Sequence, residues 1–191
     1  MVEEAKTELR RRVFAARRAR PPSARDAAGA AIAQAVLALP EITFSSTVAA
    51  YLSIGTEPST MHLVESLRSR GLRVVVPVLG DDLELDWADY DGSDGLAQTS
   101  RGLREPGGPR LGVAAVADAD VVLVPGVAVD EHGMRLGRGG GSYDRALRRV
   151  PSGRPVVVLL YDDEVLPAVP AEAHDQRVTA AVTPSRVWRF S

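Results

Sequence analysis

The first forty residues carry apolar positions at helical spacing. In the first segment this spacing is formed by Ala5, Leu9, Val13 and Ala16. The prolines within residues 20–23 are expected to stop this helix, and Ser23 is positioned to cap a second helix that extends to about Leu39 and is closed by Pro40. The pattern therefore predicts two consecutive helices at the amino-terminal end.

Val- and Leu-rich runs follow and alternate with further helical segments. Buried strands are predicted at residues 46–53, 73–79, 117–130, 154–162 and 177–184. The third of these is expected to stop at Pro125 and Gly126, and a more exposed, alternating strand is predicted at 83–90. Helices are predicted from Thr60 to Arg70 and from Tyr143 to Arg149. Residues 91–112 are rich in Gly, Ser and Pro, which predicts a loop with little regular structure.

Buried strands that alternate with helices are typical of an α/β protein. We expect a three-layer α/β/α sandwich, Rossmann-like, with a largely parallel central sheet. No linker or internal repeat divides the sequence, so residues 1–191 are predicted to form one domain. In folds of this class, ligands bind beyond the carboxyl ends of the strands.

Composition excludes several kinds of chemistry. The chain has 45% hydrophobic and 25% charged residues, as folded domains do, and it has no cysteine. A disulfide framework, a Cys-based metal site and a thiol nucleophile are therefore excluded. The three histidines are far apart in sequence, which argues against a zinc site. No apolar run approaches the ~20 residues of a membrane span, and the charged start lacks the apolar core of a signal peptide, so we expect a cytoplasmic protein without a membrane partner.

Charge is uneven along the chain. The net charge is −2, but residues 1–25 carry eight basic and three acidic side chains, about +5, against about −7 for the remainder. Of 23 basic residues, Lys6 is the only lysine. Lys6 and Arg10 lie on one helical face, where like charges repel unless an anion offsets them. This pattern is compatible both with a site for an anionic ligand and with an ordinary solvated helix face.

The segment "GMRLGRGGGSYDRALRR", residues 133–149, combines glycines with cationic side chains. Gly139, Gly140 and Gly141 precede a predicted helix, so backbone N–H groups can approach a bound anion without Cβ obstruction. Arg135 and Arg138 add positive charge. However, the segment matches neither the dinucleotide-binding nor the Walker A motif. A phosphate site and a purely structural turn therefore remain alternatives.

Two acidic positions are further candidates. Glu57 lies in the loop after a buried strand, where it could bind a ligand or interact with the dipole of the next helix. Asp175, preceded by His174, lies near the start of the last predicted strand, where an ordinary polar loop is the alternative.

Taken in order, the motifs resemble those of 5-formyltetrahydrofolate cyclo-ligases, also called methenyltetrahydrofolate synthetases. The resemblance is carried by "AKTELRRRV", "YLSIGTEPST", "DVVLVPGVAVDEHGMRLGRGGGSYDRAL" and "VPAEAHDQRV", which together extend over nearly the whole chain. It implies an α/β/α fold and the conversion of 5-formyltetrahydrofolate and Mg-ATP to 5,10-methenyltetrahydrofolate, ADP and phosphate.

The resemblance also implies roles for individual residues. Lys6, Arg138 and Tyr143 would be catalytic. The ATP site would comprise Lys6, Arg10, Arg135, Leu136, Gly137, Arg138, Gly139, Gly140, Gly141, Ser142 and Tyr143. The folate site would comprise Leu52, Glu57, Arg138, Gly139, Gly140, Gly141 and Ser142, and magnesium would be bound by Asp144 and Asp175. The expected partners are ATP and 5-formyltetrahydrofolate, with or without a polyglutamate tail, and a monomer that binds no nucleic acid is expected.

Three positions depart from the pattern of the resembled family. Ser142 stands where a tyrosine is usual, Val129 where an aromatic residue is common, and Thr179 where an acidic residue is frequent. The departure at Ser142 concerns folate binding more than nucleotide binding.

Two other functions are compatible with parts of the sequence: a nucleotide- or RNA-binding protein that has lost the reaction, and a sugar-phosphate enzyme on a related fold. The low aromatic content, 5%, argues against the first, and Glu57 has no role in the second.

Overall fold

The computed structural model describes residues 1–100 and 102–190. Its central feature is a seven-stranded sheet whose strands, in spatial order, are Val187–Arg189 (β12), Ala180–Val182 (β11), Val156–Leu159 (β9), Val121–Pro125 (β6), Thr47–Ala49 (β1), Arg73–Leu79 (β2) and Leu85–Asp89 (β3). The five inner strands are parallel, and the two edge strands, β3 and β12, are antiparallel to their neighbours. The predicted α/β fold with a largely parallel sheet is confirmed.

The elements have the following bounds. The helices are α1 Val2–Ala19, α2 Pro22–Leu37, α3 Pro40–Thr43, α4 Met61–Ser69 and α5 Ser142–Leu147. The strands are β1 Thr47–Ala49, β2 Arg73–Leu79, β3 Leu85–Asp89, β4 Leu96–Gln98, β5 Arg104–Pro106, β6 Val121–Pro125, β7 Ala128–Asp130, β8 Arg135–Leu136, β9 Val156–Leu159, β10 Val165–Leu166, β11 Ala180–Val182 and β12 Val187–Arg189.

Alternating strand residues supply two hydrophobic clusters on opposite faces of the sheet. In β2, Val74 and Val76 join the cluster formed with α2 and α4, whereas Val75 joins the one formed with α5 and the 3-10 turn at 113–118. Each fully buried aliphatic side chain contributes about 1.5–3 kcal/mol relative to an exposed one. Burial on both faces explains why the central strands are continuous Val- and Leu-rich runs.

The first helix packs away from the central sheet. Leu9 and Val13 of α1 form a third cluster with Ala128 and Leu136 of a small sheet, β10-β7-β8. At the end of α1, Arg17 is fully buried. Its guanidinium donates two hydrogen bonds of 2.7 Å to the Glu164 carboxylate and one of 2.7 Å to the carbonyl of residue 126. These contacts fix the end of α1 beside the turn between β6 and β7.

The helix boundaries differ from the predictions in three places. Helix α2 begins at Pro22 with no side-chain cap, so the predicted capping role of Ser23 is wrong. Proline fits the first helical turn because the backbone N–H that it lacks would have no hydrogen-bond partner within the helix at that position. For the same reason Pro40 starts α3 instead of only ending α2. Helix α5 ends at Leu147, two residues before its predicted end.

The strand predictions need five corrections. The strand predicted at 46–53 is only three residues long, and the run at 117–130 forms two strands, β6 and β7, in different sheets because the chain turns at Gly126. The segment predicted to be a loop contains the β4-β5 hairpin. The strand predicted to be more exposed, β3, has Trp87 fully buried because the turn at 113–118 packs on it. Edge strand β12 was not predicted.

Candidate active site

The glycine-rich segment connects β8 to α5. Gly139 has φ +104° and Gly141 has φ +69°, backbone conformations that side-chain-bearing residues rarely adopt. Gly137 is needed for a different reason, because a Cβ there would lie 2.9 Å from a guanidinium nitrogen of Arg135. The three glycines therefore shape a turn in which the backbone passes close to cationic side chains.

Arg10 joins α1 to this turn. Its Nε donates a hydrogen bond of 3.0 Å to the carbonyl oxygen of Gly137, and its guanidinium lies beside Gly139. Its second contact is an ion pair of 2.8 Å with Glu3. The sequence analysis left open whether an anionic ligand offsets the charge of this helix face, and here an acidic side chain of the protein does so in part.

Lys6 is buried next to two carboxylates. Its Nζ lies 2.8 Å from Glu172 Oε2 and 2.7 Å from Asp175 Oδ2, and only 3% of its side chain is exposed. Burial lowers the pKa of Lys6, but the two hydrogen-bonded carboxylates outweigh it, so the pKa is raised and the lysine stays charged. The structure therefore brings together two predicted site residues, Lys6 and Asp175, that are 169 positions apart.

Arg135 and Asp144 form a second buried pair. Their closest N–O distance is 2.9 Å, and the Arg135 side chain is 2% exposed. Asp144 Oδ1 also accepts a hydrogen bond of 3.2 Å from the backbone N–H of Gln176, the residue after Asp175. The two predicted magnesium ligands, Asp144 and Asp175, are thus connected through one short backbone segment.

Glu57 lies under the exposed side chain of Arg138. Glu57 Oε1 is 3.1 Å from Arg138 Nη1, and Oε2 accepts a hydrogen bond of 2.9 Å from the backbone N–H of Ile54. Glu57 is 7% exposed and Arg138 is about half exposed. The guanidinium of Arg138 also lies over the ring of Phe14, 5.5 Å from its centroid. Two predicted folate-site residues therefore form one ion pair.

The Glu57–Arg138 pair, the Arg135–Asp144 pair and the glycine-rich turn line a cavity of about 230 Å³. It lies at the carboxyl ends of β1, β2 and β6, where ligands bind in α/β folds. Its lining residues are Tyr51, Leu52, Ile54, Glu57, Pro77, Leu79, Leu85, Leu103, Arg104, Glu105, Pro125, Gly126, Arg135, Gly137, Arg138, Gly139, Gly140, Gly141, Ser142, Tyr143 and Asp144. Lys6, Arg10 and Asp175 do not line it; Arg10 lies at its glycine-rich border, and Lys6 lies with Asp175.

Two tyrosines on the cavity wall are held protonated. Burial raises the pKa of Tyr143 strongly, and the negative charge of Glu57 raises it further, although Arg135 acts in the opposite sense. Burial and Glu57 likewise raise the pKa of Tyr51 well above its ordinary range. The Tyr51 hydroxyl has no hydrogen-bond partner among the described residues. Both phenols can therefore donate, but neither can act as a base near neutral pH.

Several residues of the site are missing from the sequence predictions, among them Arg104 and three residues with oxygen-bearing side chains. Glu105 lines the cavity from the unpredicted hairpin, Tyr51 lines it beside the predicted Leu52, and Glu172 shares Lys6 with Asp175. Tyr51 could have been found, because it directly precedes Leu52 at the end of a buried strand. No local signal marks Glu105 or Glu172, since their roles depend on contacts with distant parts of the chain.

A magnesium ion fits the two aspartates only if other oxygen ligands complete its shell. In the part of the chain that the structure describes, no three His, Asp or Glu side chains cluster as a metal site. Asp144 and Asp175 supply the carboxylate oxygens that magnesium prefers, and such sites commonly use one or two carboxylates with phosphate oxygens and water. Arg135 and Lys6 already neutralise both carboxylates in part. The pair therefore fits a metal ion that is shared with a phosphorylated ligand.

The fold and the cavity define a class of protein. A largely parallel sheet with a glycine-rich cavity at the carboxyl ends of its strands, lined by apolar side chains and a few charged ones, is typical of α/β enzymes that bind small molecules. A sequence model of the 5-formyltetrahydrofolate cyclo-ligase family matches residues 2–184. The chain therefore belongs to this enzyme family, as the sequence motifs predicted.

Individual relatives agree with this assignment. The 5-formyltetrahydrofolate cyclo-ligase of Mycolicibacterium smegmatis is 38% identical over 97% of each chain, and that of Escherichia coli is 33% identical over 91% of this chain and 97% of its own. The solved structure of Aquifex aeolicus 5,10-methenyltetrahydrofolate synthetase superposes with a TM-score of 0.84 at 30% identity, covering 97% of this chain and 92% of that one. The enzyme class and the fold are therefore shared over nearly the whole chain.

No helix among residues 1–100 and 102–190 is both long enough and apolar enough to cross a membrane.

Proposed function

We propose that this chain catalyses the ATP-dependent cyclisation of 5-formyltetrahydrofolate to 5,10-methenyltetrahydrofolate, releasing ADP and phosphate. The observation that carries the proposal is the convergence of three groups at one cavity. The glycine-rich turn, the cationic face of α1 and the buried Glu57 are far apart in sequence and meet through the Arg10–Gly137 and Arg138–Glu57 contacts. We propose that one chain folded as a single domain, working as a cytoplasmic monomer, suffices for this reaction.

The chemistry requires activation of a poor electrophile. The formyl carbon of the substrate is an amide carbon, and its oxygen cannot leave as hydroxide. In the proposed reaction this oxygen attacks the γ-phosphorus of ATP and ADP leaves. N10 of the folate then attacks the activated carbon and loses its proton to solvent, and the C–O bond breaks to release phosphate, which carries the former formyl oxygen. The substrate provides both nucleophiles, so the enzyme contributes mainly positioning and charge stabilisation.

Cationic side chains would bind the phosphates of ATP. Arg10 lies at the glycine-rich turn and Arg138 is half exposed above the cavity, so both can contact phosphate oxygens with little rearrangement. The turn formed by residues 135–143 would supply backbone N–H groups. Lys6 would contact the phosphates after partial release from Glu172, the more exposed of its two partners. We propose Lys6 and Arg138 as the groups that stabilise charge on the transferring phosphoryl group.

Other cavity residues would bind the folate. Leu52 and the apolar wall suit the flat pterin ring, and Glu57 would face its N–H donors. Tyr143, which is protonated because of its raised pKa, would donate a hydrogen bond in the third catalytic role. Ser142 offers a small hydroxyl where the resembled family usually has an aromatic ring. A magnesium ion bound by Asp144, Asp175 and phosphate oxygens would add neutralising charge.

The test is a direct assay of product formation. The purified protein is incubated with 5-formyltetrahydrofolate and Mg-ATP, and the near-ultraviolet absorbance of the methenyl product is followed. We expect product only when folate, ATP and Mg²⁺ are all present. Folded protein that is stabilised by ADP but forms no product would contradict the proposal, and would leave a nucleotide-binding protein that lacks the reaction.

A further inference from the structure

Two buried carboxylates face the cavity, and they differ in how their oxygens are used. Glu57 is 7% exposed, and each of its oxygens has a partner, Arg138 for Oε1 and the N–H of Ile54 for Oε2. Glu105, on β5, is 9% exposed, and only its Oε1 has a hydrogen bond, 2.9 Å from the N–H of Leu79. Within residues 1–100 and 102–190, Glu105 Oε2 has no hydrogen-bond donor.

The charge of Glu105 is also not balanced by a cation. No described lysine or arginine lies within ion-pair distance of Glu105, whereas the other acidic groups of the site, Glu57, Asp144 and Asp175, are all paired. Hydrogen bonds to a charged acceptor are stronger than those between neutral groups. A ligand that brings N–H donors to Glu105 would therefore gain affinity from an acceptor that the described residues leave unused.

The surroundings of Glu105 restrict which ligand can do this. Apolar side chains of Pro77, Leu79, Leu85 and Leu103 line the cavity together with Glu105, and Arg104, the residue before Glu105, lines it as well. Apolar walls with a few well-placed polar groups suit a flat heterocycle whose edge carries hydrogen-bond donors. A phosphate oxygen is disfavoured at Glu105 itself, because its negative charge would face that of the carboxylate.

We propose that Glu105 is a substrate-binding residue whose Oε2 accepts hydrogen bonds from the 2-amino and N3–H donors of the reduced pterin ring. This inference rests on the proposed function and refines it. Glu57 already accepts one hydrogen bond at each oxygen, from Arg138 and from Ile54, whereas Oε2 of Glu105 has no donor among the described residues. Glu105 therefore adds an acceptor for this edge of the ring to the contact proposed for Glu57.

A purely structural role is the alternative, since Glu105 ties β5 to the end of β2 through Leu79. The Glu105→Gln variant separates the two roles. The amide oxygen of glutamine can still accept the Leu79 hydrogen bond, but the charge is lost and the second group becomes a donor. Asp120→Asn is the matched control, because Asp120 also accepts backbone hydrogen bonds, from Ser46 and Thr47, and lies outside the cavity.

The experiment measures equilibrium binding of 5-formyltetrahydrofolate without ATP, the KM values for both substrates, and the melting temperature. We expect Glu105→Gln to weaken folate binding by about ten- to hundredfold, the usual range for one charge-assisted hydrogen bond, while the KM for ATP and the melting temperature stay close to wild type. Asp120→Asn should leave folate binding unchanged. The 2-desamino analogue lacks one of the two donors, so it should bind the wild type more weakly than the substrate does and lose less affinity in Glu105→Gln.

The outcomes separate this inference from the proposed function. Unchanged folate binding in Glu105→Gln would overturn the inference even if the wild type forms product. A loss that is equally large for the 2-desamino analogue, or that comes with a lower melting temperature, would assign Glu105 a structural role and overturn it as well. Wild-type protein that binds the folate but forms no methenyl product would contradict the proposed reaction and leave the binding role of Glu105 intact.

Discussion

Replacing Lys6 by alanine should destabilise the protein as well as impair nucleotide binding. Lys6 is the only lysine, its side chain is 3% exposed, and it joins α1 to the 172–175 loop through two carboxylates. The variant removes both ion pairs at once. It also leaves Asp175, which is 11% exposed, without a cation.

The size of the effect follows from the exposure of the two partners. A hydrogen bond to a charged group contributes about 1.5–3 kcal/mol, and an unpaired charge costs most where water cannot reach it. Glu172 is 39% exposed and can be solvated, so most of the lost stability arises at Asp175. We expect the free energy of unfolding to fall by about 2–3 kcal/mol in total, which corresponds to a melting temperature lower by about 4–12 °C for a chain of this size.

Arg11→Ala is the matched control. It also removes one positive charge from α1 and breaks an ion pair of 2.6 Å, but Arg11 and Glu8 are 69% and 55% exposed. Exposed pairs contribute about 0–1 kcal/mol, so its melting temperature should change by at most a few degrees. Thermal unfolding is followed by circular dichroism at neutral pH. Equal shifts in the two variants, or no shift for Lys6→Ala, would refute the argument.

The difference in stability between wild type and Lys6→Ala should also depend on pH. Burial raises the pKa of Asp175, but the hydrogen bond and charge of Lys6 outweigh it, so its pKa lies below the ordinary value of 3.8. A carboxyl group whose pKa is lower in the folded state than in the unfolded state stabilises the folded state at pH values above its unfolded pKa. This stabilisation is lost as the pH falls through the folded-state pKa. The gap between wild type and Lys6→Ala should therefore be full above about pH 5 and shrink below pH 4.

Two further variants test other parts of the account. Glu164→Gln leaves the fully buried Arg17 without its charged partner, so the free energy of unfolding in urea should fall by about 3–5 kcal/mol; a loss below 1 kcal/mol would contradict the importance of this pair. Gly139→Ala forces a side chain into φ +104°, so it should cost about 1–3 kcal/mol and raise the KM for ATP. Gly108→Ala, in open space, is its control, and equal effects of the two would count against the role of the turn.

The fold was predictable where one physical signal dominates. The Val- and Leu-rich runs are buried on both faces of the sheet, and that burial makes parallel strands recognisable from sequence alone. The β4-β5 hairpin was not predictable, because its strands are short, half exposed and rich in polar residues. Trp87 was placed on an exposed strand because the turn that covers it comes from a distant segment.

The site was predictable as a set of residues but not as a set of contacts. The motifs indicated Lys6, Arg10, Glu57 and the glycine-rich turn, and these converge in space. The sequence did not reveal that Lys6 is paired with Glu172 and Asp175, because such pairs join positions more than 160 residues apart. The predicted roles in binding ATP, folate and magnesium stay predictions until ligands are tested.

The central claim is that the formyl oxygen is activated by phosphorylation, and isotope transfer tests it directly. The protein is given 5-formyltetrahydrofolate labelled with ¹⁸O in the formyl group, together with unlabelled Mg-ATP, and the released phosphate is analysed by mass spectrometry. The account predicts one ¹⁸O atom in phosphate for each methenyl product formed. Product formation with unlabelled phosphate, and the label in water, would contradict it.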